Sequence, residues 1–149
     1  MVSIQKANKE DSHIVAGMVA RLLSELTAKE LEKATYIKTC EELFEVPDIY
    51  SCYIALDNQE CVGTVAVSES CSIYAGGRFG IIQELYVLPE YRSKNIGHLL
   101  IDNIVELAKV RGWKRIEVGT PDPVIWNRTI EFYKREGFSE VGLKLKMVF

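Results

Sequence analysis

A polar, basic turn lies between a strand-like run and an amphipathic run in the stretch PEYRSKNIGHLL, residues 89–100. The turn contains Arg92, Ser93, Lys94, Asn95 and Gly97. A helix N-terminus leaves backbone N–H groups unpaired at the positive end of the helix dipole, which suits a phosphate. Two cations, small turn-forming residues and a glycine that gives a ligand room therefore predict a diphosphate cradle. The simpler alternative is a solvated basic turn that caps the helix.

The common nucleotide motifs are missing from this turn. The Walker A pattern G-x-x-x-x-G-K-S/T is absent, and so is the Rossmann pattern G-x-G-x-x-G. A nucleotide-binding module that uses the turn for another diphosphate stays an alternative. The sequence shows no acid or pocket for a ribose and base that would favour it.

The four cysteines do not form a metal-binding pattern. Cys40, Cys52, Cys61 and Cys71 include no C-x-x-C pair, and neither histidine lies close to one of them in sequence. We therefore expect no metal, and we expect reduced thiols whose role is packing.

Hydrophobic periodicity predicts the helices and strands on which these residues lie. The prediction runs strand 2–7, helix 8–29, helix 35–45, two strands within 50–70, strand 79–88, helix 96–112, strand 113–120, helix 122–137 and strand-like alternation over 138–149. The strand–helix–strand unit around residues 79–120 should be parallel and right-handed, whereas the hairpin before it should be antiparallel. The pattern thus predicts a mixed α/β sheet with helices on both faces.

Length and charge limit the class of protein. A chain of 149 residues favours a single domain, residues 1–149. A net charge of −3 and a pI near 5.5 argue against a nucleic-acid binder. No apolar run approaches the roughly 18 residues of a membrane span, and the first ten residues lack a signal-peptide core. We expect a soluble cytoplasmic protein that does not bind membranes.

Two motifs resemble one family. ELYVLPEYRSKNIGHLLI is similar to the signature of the GNAT superfamily of N-acetyltransferases, whose coenzyme A loop follows Q/R-x-x-G-x-G/A. Arg92 and Gly97 match its outer positions, and Asn95 occupies the slot of the first glycine. This departure is mild because Asn adopts left-handed backbone conformations readily. WNRTIEFYKREGF resembles the family's C-terminal N-x-x-A-x-x-F-Y-x-x-x-G-F, with Trp126 in the asparagine slot and Asn127 one place later.

The resemblance implies a fold and a reaction. The fold would be GNAT-like: a mixed, mostly antiparallel sheet of six to seven strands, splayed between the fourth and fifth, with about four helices on both faces. The reaction would be direct transfer of an acetyl group from acetyl-coenzyme A to an amine. No covalent intermediate is needed, because a thiolate of pKa near 8.5 already leaves well.

The resemblance also implies cofactor contacts. The pantetheine arm would lie along Leu85, Tyr86 and Val87, where one backbone N–H could polarise the thioester oxygen. The diphosphate would meet the N–H groups of Arg92, Ser93, Lys94, Asn95, Ile96, Gly97 and His98. Asn127 would contact the cofactor from the last helix.

Two catalytic candidates follow. Tyr133 matches the family tyrosine that often protonates the departing thiolate, and its alternative role is that of a core aromatic residue. Glu84 is the candidate base, directly or through water, because it is a lone acid in an otherwise apolar strand. Its alternative role is that of a solvent-facing or salt-bridged strand residue.

The acceptor would be bound by the first two helices and their connection. Glu25, Glu30 and Glu32 lie there and could attract a cationic amine, on a small molecule or on a protein. A homodimer is left open. The rival function is an acyl-coenzyme A sensor or partner subunit without chemistry.

Overall fold

The structure, a computed structural model, describes residues 1–149 and contains one five-stranded sheet. The strands follow one another across it as β1 (Val2–Lys6), β2 (Tyr50–Asp57), β3 (Glu60–Ser72), β4 (Gly77–Val87) and β5 (Ile116–Val118). The first three pairings are antiparallel, and β4 pairs with β5 in parallel. The helices are α1 (Ser12–Thr27), α2 (Ala34–Leu43), α3 (Ile96–Arg111) and α4 (Asn127–Arg135). None of the helices is both long enough and apolar enough to cross a bilayer.

Helices cover both faces of the sheet, as the sequence predicts. Neighbouring residues Ile54 and Ala55 of β2 belong to different core clusters, because successive side chains of a strand point to opposite faces. One cluster joins the sheet to α3 and α4, and the other joins it to α1 and α2. Fully buried Leu100 of α3 anchors the first cluster. Burying a leucine is worth about 1.5–3 kcal/mol.

A β-bulge in β4 decides which way its middle residues point. Ala66 of β3 faces Glu84, but the next residue, Val67, faces Ile82, so Gln83 is the extra residue. The bulge lets Ile82 and Leu85, three positions apart, both pack on the α3 side. Glu84 consequently points to the opposite face, toward α1 and α2.

The sheet opens between β4 and β5. These strands pair only where Gly80–Ile82 lies beside Ile116–Val118, and β4 continues to Val87 without β5. The indole of Trp113, just before β5, fills the space beside Gly80: a Cβ built there would lie 2.4 Å from the ring. The contact between β4 and the Trp113 ring thus needs a glycine at position 80, and beyond Ile82 one edge of β4 is unpaired.

The prediction of six to seven strands is wrong; the sheet has five. Residues 139–149 form no strand despite their alternation, and Val141, Leu143, Leu145 and Met147 are exposed. Alternating apolar and polar residues give a segment one apolar face, but they do not make it a strand. A strand also needs a sheet edge with which its backbone can pair. β5 has only three residues and offers a short edge.

Candidate active site

The turn before α3 presents unpaired backbone N–H groups. After a short 3-10 turn at Pro89–Tyr91, the backbone of Ser93 (φ 62°) and of Asn95 (φ 69°) is left-handed. The first bond of α3 runs from Leu99 N–H to the Asn95 carbonyl, 3.1 Å. The N–H groups from Ser93 through His98 make no hydrogen bond within the chain. Such a series of free amides at a helix N-terminus suits an anion.

The side chain of Arg92 points to α1. Its guanidinium donates to both carboxylate oxygens of Glu25 at 3.1 Å, and its Nε donates to the Val87 carbonyl at 2.9 Å. Burial alone would raise the pKa of Glu25, but the hydrogen bond and charge of Arg92 lower it. The Arg92 cation is therefore committed to Glu25. Lys94, whose ammonium lies 5.1 Å from the centre of the Tyr91 ring, remains the cation of the turn without an acidic partner.

The space beside Gly97, where the sequence suggested room for a ligand, is occupied by the ring of Phe132. A Cβ on Gly97 would lie 3.0 Å from two ring carbons of Phe132 on α4. The glycine therefore lets α3 and α4 approach each other. Its backbone N–H is still among the unpaired ones.

The His98 imidazole faces away from the turn and is held by two acids. Nδ1 lies 2.7 Å from Glu136 at the end of α4, and Nε2 lies 3.1 Å from Asp102. The hydrogen bond and charge of Glu136, and then the charge of Asp102, raise the pKa of His98. These three residues could offer ligand atoms to a cation, all within 4.8 Å of one another, but both ring nitrogens already have acidic partners.

The unpaired edge of β4 offers backbone groups to a ligand. Because Leu88 N–H donates to Val62 of β3, strand alternation directs the backbone groups of Leu85 and Val87 away from β3, into the opening. The backbone of Tyr86 points to β3 instead. Its buried side chain lies on the α1 side.

Glu84 is partly buried on the face covered by α1 and α2, and its Oε1 accepts a hydrogen bond of 2.5 Å from the hydroxyl of Tyr50 on β2. Burial raises the pKa of Glu84, and the Tyr50 hydrogen bond offsets part of that rise. Sequence reasoning missed Tyr50, because 34 residues separate it from Glu84 and no local pattern joins the two.

Tyr133 is buried on the opposite face, in the core that α3 and α4 share. The rings of Phe132 and Phe138 pack edge-on against it, at 5.3 and 5.5 Å between centroids. Burial raises its pKa to about 12, so the phenol keeps its proton at neutral pH. Asn127 is exposed as the first residue of α4, and Trp126 precedes it as the N-cap.

A groove of about 840 Å³ lies between α1, the α1–α2 connection and the end of β4. Its lining combines acids with bases: Glu25, Glu30, Glu32 and Glu90 with Arg21 and Lys33. Tyr86 forms part of its wall. The three acids expected near an acceptor therefore do line one groove. It lies on the α1 side of the sheet, the side to which Glu84 points, but Glu84 itself is not among its lining residues.

The sequence of the chain is similar to those of known acetyltransferases. The family model described as an acetyltransferase (GNAT) domain matches residues 48–140. An N-acetyltransferase of Methanocaldococcus jannaschii is 43% identical over 61 residues, which are 40% of this chain and 25% of that protein. The aminoalkylphosphonate N-acetyltransferase of Salmonella typhimurium is 27% identical over 137 residues, covering 92% of this chain and 84% of that one.

The fold has close structural neighbours. The crystal structure of a transcriptional regulator from Bacillus halodurans superimposes with a TM-score of 0.85. The match covers 100% of both chains at 24% identity. At this identity the likeness shows a shared fold.

Proposed function

Since the chain belongs to the GNAT family of acetyl-coenzyme A-dependent N-acetyltransferases, we propose that it transfers the acetyl group directly to an amine held in the α1–α2 groove. The observation that carries this proposal is the series of unpaired N–H groups from Ser93 to His98 beside the opening of β4 and β5. The diphosphate of acetyl-coenzyme A would bind the turn, mainly through these amides. Its pantetheine arm would follow Leu85 and Val87.

Direct transfer is supported by the state of the cysteines. Burial raises the pKa of Cys40 to about 11 and that of Cys52 to about 12, so neither is a thiolate at neutral pH. Neither histidine hydrogen-bonds to a cysteine. All four thiols are unpaired, which is typical of a reducing compartment and supports a cytoplasmic location.

The two proton transfers of the reaction would take place on opposite faces of β4. The amine nitrogen attacks the thioester carbonyl, an N–C bond forms, and the C–S bond breaks. Glu84 accepts a proton from the amine, directly or through a water, on the groove side. Tyr133 donates its proton to the departing thiolate on the α4 side. The N–H of Leu85 or Val87 would stabilise the developing negative charge on the carbonyl oxygen.

The acceptor is an amine on a small molecule or on a protein. The groove offers carboxylates to a second cationic group and Arg21 and Lys33 to an anionic one. The mixed lining therefore suits an acceptor that carries charge beyond the reacting amine.

The test is thermal melting with acetyl-coenzyme A, coenzyme A and ATP in parallel. Both coenzyme A species should stabilise the protein by about 2.7 kcal/mol at 100 times the dissociation constant, and ATP should not. Equal stabilisation by ATP would favour a nucleotide module, and no stabilisation by any ligand would contradict the cradle. Release of free thiol from acetyl-coenzyme A with ethylenediamine, lysine and 2-aminoethylphosphonate then tests the transfer itself.

A further inference from the structure

The carboxylate of Glu84 is held by one side chain that reaches it across a strand. Tyr50 on β2 faces Ser68 of β3, and Glu84 on β4 faces Ala66 of β3. Tyr50 packs against the core cluster that contains Ala66, and its hydroxyl reaches Glu84 Oε1 at 2.5 Å. The bulge, which points Glu84 to this face of the sheet, makes the contact possible.

The other groups that face Glu84 carry no charge at neutral pH. Cys52 on β2 and Cys40 on α2 are the further titratable groups close enough to interact with its charge. Burial raises the pKa of both thiols and of Tyr50, so all three stay protonated. No cation compensates the carboxylate. The Tyr50 hydroxyl is therefore its one strong donor.

We propose that Tyr50 is a positioning residue for Glu84: its hydroxyl fixes one carboxylate oxygen and leaves the other free to take the proton of the acceptor amine. This proposal rests on the role of Glu84 as the base. A carboxylate with one oxygen bound has fewer orientations, which matters because proton transfer requires hydrogen-bond reach. A donor to the charged form also keeps a buried acid ionised, so that it can act as a base.

The structure predicts that loss of the hydroxyl makes Glu84 easier to protonate. Tyr50→Phe removes one oxygen and keeps the ring that packs in the core. The Glu84 carboxylate then loses its donor while its burial stays, so its titration moves to higher pH. A merely structural role for Tyr50 would change stability and leave that titration in place.

The experiment is a ¹³C NMR titration of the Glu84 side-chain carboxyl in the full chain, assigned by its loss in Glu84→Gln. We expect Tyr50→Phe to shift the midpoint to higher pH. The matched control is Tyr53→Phe, which removes a half-buried phenol from the other face of the same strand and should leave the midpoint unchanged. Glu84→Asp draws the acid back from the Tyr50 hydroxyl by one methylene and serves if Tyr50→Phe does not fold. Its midpoint should lie further above the ordinary Asp value than the wild-type Glu84 midpoint lies above the ordinary Glu value, because burial stays and the hydrogen bond is weakened.

Two results would overturn the proposal: one concerns the role of Tyr50, and the other concerns the role of Glu84 as the base. An unchanged midpoint in Tyr50→Phe would show that Tyr50 does not control Glu84, whatever the base is. A shifted midpoint together with full transfer activity in Glu84→Gln would show that the base lies elsewhere. If both proposals hold, Glu84→Gln loses about 10²–10⁴-fold in kcat/KM. The acid limb of the Tyr50→Phe pH–rate profile then moves in parallel with the NMR midpoint.

Discussion

Gly80 leaves room for the indole ring of Trp113, and Gly80→Ala should destabilise the protein strongly. The added Cβ would lie 2.4 Å from Cζ3 and 2.6 Å from Cε3 of Trp113, whereas ordinary contacts begin at 3.4 Å. The ring would have to withdraw by about 1 Å. It is not free to do so, because its Nε1 donates to Glu69 at 2.7 Å and the Arg111 guanidinium lies 5.6 Å from the ring centroid.

The magnitude follows from three contributions. Overpacking a core costs about 1–3 kcal/mol, and losing a hydrogen bond to a charged group costs about 1.5–3 kcal/mol if the indole turns away from Glu69. Replacing a strand glycine by alanine returns about 0.5–1 kcal/mol. We expect a net loss of about 1.5–5.5 kcal/mol in the free energy of unfolding, or about 3–22 °C in Tm for a domain of this size.

Urea unfolding of a matched set tests this reasoning. Gly119→Ala is the control, because a Cβ there meets only the Lys144 side chain at 3.6 Å, an ordinary contact; its effect should stay within about 0.5 kcal/mol. In a Trp113→Leu background the cost of Gly80→Ala should largely vanish, since the clashing ring is gone. Wild-type stability in Gly80→Ala, or an equal cost in both backgrounds, would refute the reasoning.

Two further predictions concern the turn and α3. Asn95 has left-handed backbone, so Asn95→Val should cost about 1–2 kcal/mol in urea unfolding, whereas a cost for Asn95→Gly as large as that of the valine variant would contradict the backbone argument. The pKa of His98 is raised in the folded state by Glu136 and then Asp102, so its contribution to stability is complete below the unfolded pKa and is lost as pH rises through the folded one. Melting curves against pH should therefore show a decline toward alkaline pH that is smaller in His98→Gln, and identical declines would place the effect elsewhere.

Local signals in the sequence indicate some helix ends well. The first helix is predicted to begin at residue 8, and the Asn8 side chain accepts from the Glu10 N–H in a capping box with Asp11, although it caps a 3-10 turn and α1 itself begins at Ser12. The helix predicted over 96–112 ends at Gly112, which is the C-cap of α3 and has the left-handed φ of 71° that suits such a cap. These features depend on residues within one turn of each other, so the chain carries them without its tertiary structure.

The family and the position of the turn were also predictable, because the R-S-K-N-I-G pattern and its place between a strand and a helix are local. The directions of the side chains were not. Arg92 turns to Glu25, 67 residues away, and Phe132 fills the space beside Gly97. Such contacts depend on how α1 and α4 pack, which no pattern within the turn specifies.

Patterns among neighbouring residues are enough to indicate the four helices, the five strands, their order along the chain and the free amides of a helix N-terminus. Contacts between distant segments make Gln83 a bulge, which turns Glu84 toward α1 and α2 and brings it to Tyr50. They also leave residues 139–149, which alternate like a strand, without a sheet edge with which to pair. Local patterns cannot specify these features, because strand register is settled between segments distant in sequence and a shift of one residue reverses every side chain.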